Sequence, residues 1–214
     1  MASIDHLFAT SLYRGRLFAR QTAERNRRLE AVCLALASDD AAGLSWSEKQ
    51  GYGGYTSYAS LDDLPWRFPE FAELKEALET HVQAFADAAH FDLSERGLVL
   101  DSLWVNILAP GGHHSAHLHP HSAVSGTYYV SLPPGSAAIR FEDPRHAMMM
   151  AAPIRKRSAP AGAKPFVTIK PKPGDVLLWE SWLRHDVPEN DAEDNRISVS
   201  FNFALEEPQR RRER

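Results

Sequence analysis

Hydrophobic positions in the first half of the chain repeat with the period of an α-helix. One series predicts an amphipathic helix over about residues 16–37 and consists of Leu29, Val32, Cys33 and Leu36. A second series predicts a helix over about residues 69–90 that begins at Pro69, since proline is favoured in the first helical turn. Its members are Phe71, Leu74, Leu78, Val82, Phe85 and Ala89. The stretch 51–60, rich in glycine and tyrosine, is predicted to be an irregular loop.

From residue 98 the pattern changes to short runs of β-branched and aromatic residues separated by proline and glycine. We expect strands over residues 98–108, 124–132, 137–141, 165–170, 175–179 and 196–205. The last run alternates strictly. Its apolar face consists of Ile197, Val199, Phe201 and Phe203, and its polar face of Arg196, Ser198, Ser200 and Asn202. One face therefore belongs to a core, while the other lines a polar space.

These patterns predict a mainly β protein with flanking helices, built as a β-sandwich or barrel in a single domain. We expect residues 1–97 to form helices and loops packed on the barrel and residues 98–205 to form the barrel itself. Residues 206–214 read as a flexible charged tail.

Composition excludes several classes of protein. The chain has 214 residues, 43% of them hydrophobic, and a net charge of −4, which argues against disorder and against general nucleic-acid binding. No apolar run approaches the roughly 20 residues of a membrane span. The N-terminus lacks a signal-peptide pattern, and the one cysteine, Cys33, permits no internal disulfide. We therefore expect a cytoplasmic protein without membrane contact. Its oligomeric state is left open, a homodimer included.

Histidines provide the first candidate chemistry, because five of them fall within residues 113–121. His117 and His119 are two apart, and on a strand this spacing puts both imidazoles on one face, close enough to share a metal. His185 is the candidate third ligand, returned to the same pocket by a corner after a buried strand. A polar loop explains a histidine-rich stretch equally well, and an isolated histidine is more often structural.

Arg196 and Ser198 provide the second candidate site. Two apart on a strand, they project to the same face, where a guanidinium can bind a carboxylate through two hydrogen bonds and the hydroxyl can add a third donor. The sequence thus predicts an anion site one strand away from the candidate metal.

Taken in order, these residues resemble the iron(II)- and 2-oxoglutarate-dependent oxygenases of the double-stranded β-helix (jelly-roll, cupin-like) fold. The matching segments are Asn106-x-x-Ala-Pro-Gly111, His117-x-His119, Pro173-Gly-Asp175, His185 and Arg196-x-Ser198. Within that superfamily the chain is most similar to a bacterial and phage group of uncharacterised oxygenases. Further motifs of that group are Ser125-Gly-Thr-Tyr-Tyr-Val130, Phe141-x-Asp-Pro-Arg145 and Arg196-Ile-Ser-Val-Ser-Phe-Asn202. The resemblance covers about half of the chain.

The resemblance implies an enzyme that oxidises a small-molecule or peptide substrate while 2-oxoglutarate is decarboxylated to succinate. It assigns His117 and His185 as iron(II) ligands, and it places the C5 carboxylate of 2-oxoglutarate at Arg196 and Ser198. Asn106 and Tyr128 would be further contacts to 2-oxoglutarate. The usual motif has an aspartate or glutamate where this chain has His119, so the three ligands would all be neutral.

Two other interpretations fit the same residues. A cupin-type protein shares the barrel and the His-x-His pair, either as a three-histidine dioxygenase that does not use 2-oxoglutarate or as a noncatalytic binding module. Cupins usually have a glutamate shortly after the pair, and residues 121–126 contain none. An interaction module with a degenerate site belongs to a different class. Stoichiometric metal in the purified protein would argue against it.

Overall fold

The protein is built from two antiparallel β-sheets and several helices, in a computed structural model that describes residues 2–94 and 96–206. The strands are β1 (Leu12–Arg16), β2 (Gly54–Thr56), β3 (Leu98–Leu108), β4 (His114–His117), β5 (Val124–Ser131), β6 (Ile139–Glu142), β7 (Phe166–Ile169), β8 (Asp175–Glu180), β9 (His185–Val187) and β10 (Arg196–Leu205). The α-helices are α1 (Thr22–Asp39), α2 (Ala41–Lys49), α3 (Leu64–Arg67) and α4 (Pro69–Ala88). The predicted tail lies outside the described residues from residue 207 onward.

The larger sheet has six strands in the order β1-β8-β5-β10-β3-β2, and the smaller has four in the order β4-β9-β6-β7. This arrangement confirms the prediction of a mainly β, jelly-roll protein with flanking helices. β10 lies near the middle of the larger sheet and pairs with both β5 and β3. Its backbone is therefore hydrogen-bonded to a neighbouring strand along both edges, which fixes the orientation of its polar face.

The core beneath the larger sheet explains the alternation seen in the last strand. Ile197, Val199, Phe201 and Phe203 are all buried in one cluster with the apolar faces of α1 and α4. Burying each side chain of this size contributes on the order of 1.5–3 kcal/mol, so the strand has a strong preference for this face. The opposite, polar face then points towards the smaller sheet. None of the helices in the described ranges is long and apolar enough to cross a bilayer.

The N-terminal part of the chain contributes strands as well as the expected helices. The helix predicted from residue 16 begins only at Thr22, because Leu12–Arg16 form β1 and pair with β8. The stretch 51–60 is not wholly irregular, since β2 lies within it and pairs with β3 at the sheet edge. Gly54 takes a φ of 142°, and a Cβ there would meet Ile107 O at 2.0 Å, so only glycine permits this pairing.

Candidate active site

A cavity between the two sheets contains most of the residues singled out in the sequence. Its two ends differ in chemistry. His117 and His185 are directly opposite each other on β4 and β9, and with His119 they form one end. Further along the same strand pair, His114 is opposite Val187. The other end contains Arg196 and Ser198 on β10.

The three candidate ligands converge. One nitrogen from each of His117, His119 and His185 can be chosen so that all three lie within 4.8 Å of one another. The ring centroid of His117 is 5.1 Å from that of His119 and 4.4 Å from that of His185. The prediction that His117 and His119 lie on one strand was wrong, because β4 ends at His117. His119 follows in the turn, where its backbone N–H donates to Ser181 O at 3.0 Å.

Hydrogen bonds at the ring nitrogens leave the metal-facing atoms free. Nδ1 of His117 is 2.7 Å from Ser115 O and Nδ1 of His185 is 2.9 Å from Leu183 O. A carbonyl only accepts, so each Nδ1 carries the proton and each Nε2 presents a lone pair. His119 Nε2 is buried without a hydrogen-bond partner among the described residues. An unpartnered buried nitrogen costs free energy, and a metal ion would satisfy it.

Burial keeps these histidines neutral. Loss of hydration lowers the pKa of His185 to about 2 and that of His119 to about 4, with the neighbouring His117 adding to both effects. Burial also lowers the pKa of His117 itself. A metal binds the neutral imidazole, so no proton has to be displaced from these rings at neutral pH. The donor set and its protonation therefore fit a divalent metal ion.

Arg196 is buried at the other end of the cavity, with 3% of its surface exposed. Its Nε donates to Ala137 O at 3.2 Å, its Nη1 donates to Ser198 Oγ at 3.1 Å, and the guanidinium lies 5.3 Å from the centre of the Tyr129 ring. No carboxylate in residues 2–94 or 96–206 forms an ion pair with it. A buried cation without a counter-charge is costly, so the arrangement fits an anionic ligand.

The two further contacts expected for 2-oxoglutarate are placed differently from each other. Asn106 lines the cavity, and its amide accepts from Thr56 Oγ1 at 3.0 Å and donates to Ser200 Oγ at 3.1 Å. Tyr128 does not line the cavity. It is opposite Val199 on β10, packs in the helix-side core and hydrogen-bonds Asn26 through its hydroxyl.

Tyr129, and not Tyr128, is on the side of β5 that faces the smaller sheet, where it packs beside the cavity without lining it. Successive strand residues point to opposite faces, and Tyr129 is directly opposite Ser198. Its hydroxyl is buried without a hydrogen-bond partner among the described residues, and burial raises its pKa to about 12. The phenol therefore stays protonated, next to the guanidinium of Arg196.

Comparison with known proteins shows which family this chain is similar to. Residues 102–202 match the model of a family described as "Putative 2OG-Fe(II) oxygenase". Over this segment, which is just under half of the chain, the protein is similar to the 2OG-Fe(II) oxygenases. It is accordingly an oxygenase, and the resemblance noted in its sequence is confirmed at the level of the superfamily. Among curated proteins, none matches the chain.

Solved structures share the fold of this oxygenase at low sequence identity. A prolyl-4-hydroxylase from Pseudomonas putida is 16% identical, with a TM-score of 0.53 over 91% of this chain and 88% of the other. HygX from Streptomyces hygroscopicus, solved with nickel and 2-oxoglutarate bound, is 16% identical, with a TM-score of 0.55 over 92% and 82%. The α-ketoglutarate-dependent epimerase SnoN from nogalamycin biosynthesis is 12% identical, with a TM-score of 0.61 over 92% and 77%.

Further residues line the cavity of the oxygenase. His114 stacks on His117 with ring centroids 4.4 Å apart, and Tyr52 meets His114 edge-on at 5.4 Å. Trp179 lines the same cavity, and its indole N–H is buried without a partner among the described residues. The register in which β5 pairs with β10 decides which of its side chains face the smaller sheet, and the sequence does not specify that register. The glycine-rich stretch around Tyr52 signalled a close backbone approach, although not its location.

Proposed function

We propose that the oxygenase binds one iron(II) ion through His117, His119 and His185 and uses 2-oxoglutarate as its cosubstrate. One observation carries the proposal. Three neutral imidazoles with free nitrogens and one buried guanidinium without a counter-charge line the same cavity. A dicarboxylate with a keto group next to one carboxylate has chemistry suited to both ends. Bound iron(II) would supply the redox chemistry that couples dioxygen to decarboxylation of the 2-oxo acid.

The anion end would hold the C5 carboxylate. Arg196 can offer its planar fork to both carboxylate oxygens, and Ser198 can donate its own proton because its oxygen already accepts from the guanidinium. The protonated phenol of Tyr129 lies next to the guanidinium. Arg196 and Ser198 would fix the length and direction of the cosubstrate, so that its keto end reaches the histidines.

The charge of the site favours a dianion. Three neutral histidines leave the full double charge of a divalent metal in place, whereas a carboxylate ligand would lower it by one. Arg196 adds one more positive charge. The buried indoles of Trp104 and Trp179 line the cavity and exclude water, which strengthens attraction between these charges and a bound anion.

We also propose a cytoplasmic location and a small-molecule or peptide substrate. The single, buried Cys33 and the net charge of −4 support these choices. Leu118 and Trp182 are 47% and 44% exposed beside the histidine end, which offers apolar contacts to such a substrate. Incubating the enzyme with 2-oxoglutarate and pooled metabolites or peptides, with succinate as the readout, would identify the class.

The proposed function is tested by adding 2-oxoglutarate to the iron(II) protein without oxygen. We expect one iron per chain and a metal-to-ligand charge-transfer band that saturates with 2-oxoglutarate. Iron binding without such a band would favour a three-histidine cupin that does not use 2-oxoglutarate. A protein that binds no iron would favour a noncatalytic module.

A further inference from the structure

A line of aromatic rings runs from the histidine end of the cavity to the protein surface. Trp104 stacks on His119 with ring centroids 5.7 Å apart and planes 26° from parallel. Tyr58 meets Trp104 edge-on at 5.1 Å, and Trp46 lies 6.0 Å from Tyr58. Trp104 is 4% exposed and Tyr58 is 57% exposed. Each ring is in contact with the next, from the half-buried His119 to solvent.

We propose that Trp104, Tyr58 and Trp46 form an electron relay that protects the oxygenase when its iron is oxidised without a substrate. Indole and phenol are among the side chains that lose an electron most easily, and ring contact allows an electron to pass directly between them. The proposal rests on the proposed function, because the oxidant is the oxidised iron that dioxygen and 2-oxoglutarate produce.

Electrons and protons are conserved along the relay. Trp104 gives one electron to the oxidised iron, which is reduced by one, and the indole becomes a radical cation. Tyr58 returns one electron to Trp104 and releases its phenolic proton to solvent, which its exposure permits. The resulting tyrosyl radical exchanges an electron with Trp46, its neighbour in the relay, and the pair takes one electron and one proton from a thiol in solution. A second electron would follow by the same route, so that the iron returns to iron(II) and its oxygen leaves as water with two protons from solvent. The two thiyl radicals formed from the thiols combine to a disulfide, and the protein is left unchanged.

Other aromatic residues near the site lack such an exit. Trp179 is 4.7 Å from His185, but it is 1% exposed and its ring partner on the far side is Phe141, whose benzene ring is much harder to oxidise. Tyr52 contacts His114, and its hydroxyl donates to Asn106 inside the cavity. Among the described contacts, the line through Trp104 is the one that joins easily oxidised rings from a candidate ligand to solvent.

The experiment exposes the iron-loaded protein to 2-oxoglutarate and oxygen without substrate and maps oxygen addition by peptide mass spectrometry. Trp66 provides an internal control, because it is 92% exposed and stands outside the relay. Oxidants that diffuse through solvent would modify Trp66 first. We expect modification at Trp104, Tyr58 and Trp46, and little at Trp66. We also expect a tyrosyl signal in freeze-quenched electron paramagnetic resonance spectra.

The variant Tyr58→Phe tests the direction of transfer without disturbing the buried rings, since Tyr58 is mostly exposed. We expect the tyrosyl signal to disappear, modification of Trp104 to rise several-fold and modification of Trp46 to fall. Added thiol should reduce labelling in the wild type more than in the variant. Labelling of Trp104 that is the same in both proteins would overturn the relay and leave only local oxidation beside the metal. Labelling led by Trp66 would overturn it as well.

Succinate measured in the same samples separates this inference from the proposed function. Succinate formed with labelling outside the relay overturns the relay alone. If iron binds and no succinate forms, the cosubstrate assignment fails, and hydrogen peroxide added to the iron(II) protein then supplies the oxidant for the same labelling test. A protein that binds no iron overturns both.

Discussion

Replacing Arg196 by alanine should weaken 2-oxoglutarate binding more than any other single change at the anion end of the cavity. Arg196 is 3% exposed, so its attraction for a carboxylate is little screened by water. Its remaining contacts are one carbonyl, one hydroxyl and the ring of Tyr129, and none of these carries a counter-charge. Losing one partner of a buried charge pair costs about 2–5 kcal/mol, or roughly 30-fold to 5000-fold in Kd.

The assay is anaerobic titration of the iron(II) protein, followed by the charge-transfer band. Arg196→Lys should recover only part of the affinity, because an ammonium cannot reproduce the planar fork. Ser198→Ala should cost less, about 0.5–1.5 kcal/mol for one hydrogen bond. Arg184→Ala is the matched control, since that arginine is 53% exposed and pairs with Glu142 away from the cavity lining.

Thermal unfolding provides an independent readout of the same prediction. A ligand that binds only the folded protein stabilises it by about 2.7 kcal/mol at 100 times its Kd, so 2-oxoglutarate should raise the wild-type midpoint clearly and that of Arg196→Ala very little. Without ligand, Arg196→Met should be at least as stable as the wild type, because it removes an uncompensated buried charge. Equal affinity and equal thermal shifts in wild type and Arg196→Ala would refute the reasoning.

Three more predictions concern the histidines. Metal analysis of His117→Ala and His185→Ala should show nearly empty sites while the exposed His113→Ala stays loaded, and equal content in all three would refute the ligand assignment. His119→Asp should retain iron, because a carboxylate is the usual third ligand; complete loss of metal would assign His119 a structural role. Burial lowers the pKa of His119 to about 4 and that of His185 to about 2, below the unfolded value of about 6.5. Below about pH 6.5 the unfolded chain therefore binds more protons than the folded chain does. The free energy of unfolding of the metal-free protein should fall as the pH falls from about 6.5 towards 4, and constant urea midpoints across that range would contradict this.

The sequence was sufficient to predict features that depend on a single helix or strand. The alternation of β10 placed Arg196 and Ser198 on one face, and the helical period located the buried sides of α1 and α4. Both signals follow from the direction in which successive side chains leave a single backbone. The order of motifs then identified the superfamily, because it preserves the spacing of residues that the fold brings together.

The tertiary structure decided which distant segments meet. His117 and His185 become neighbours because β4 pairs with β9, and both strands are too short to show a hydrophobic period of their own. The position of His119 depends on a turn held by Ser181 O, and no strand spacing predicts it.

The structure also decided which tyrosine faces the smaller sheet and where the line of aromatic rings leads. Tyr128 and Tyr129 are adjacent in sequence, and a change of one residue in the register of β5 against β10 would exchange their faces. Trp104 and Tyr58 come together only when the segment after β2 folds onto β3. Local sequence determines which way a side chain points along its own element. The partner it meets depends on pairing register and chain closure over long separations, which only the folded molecule specifies.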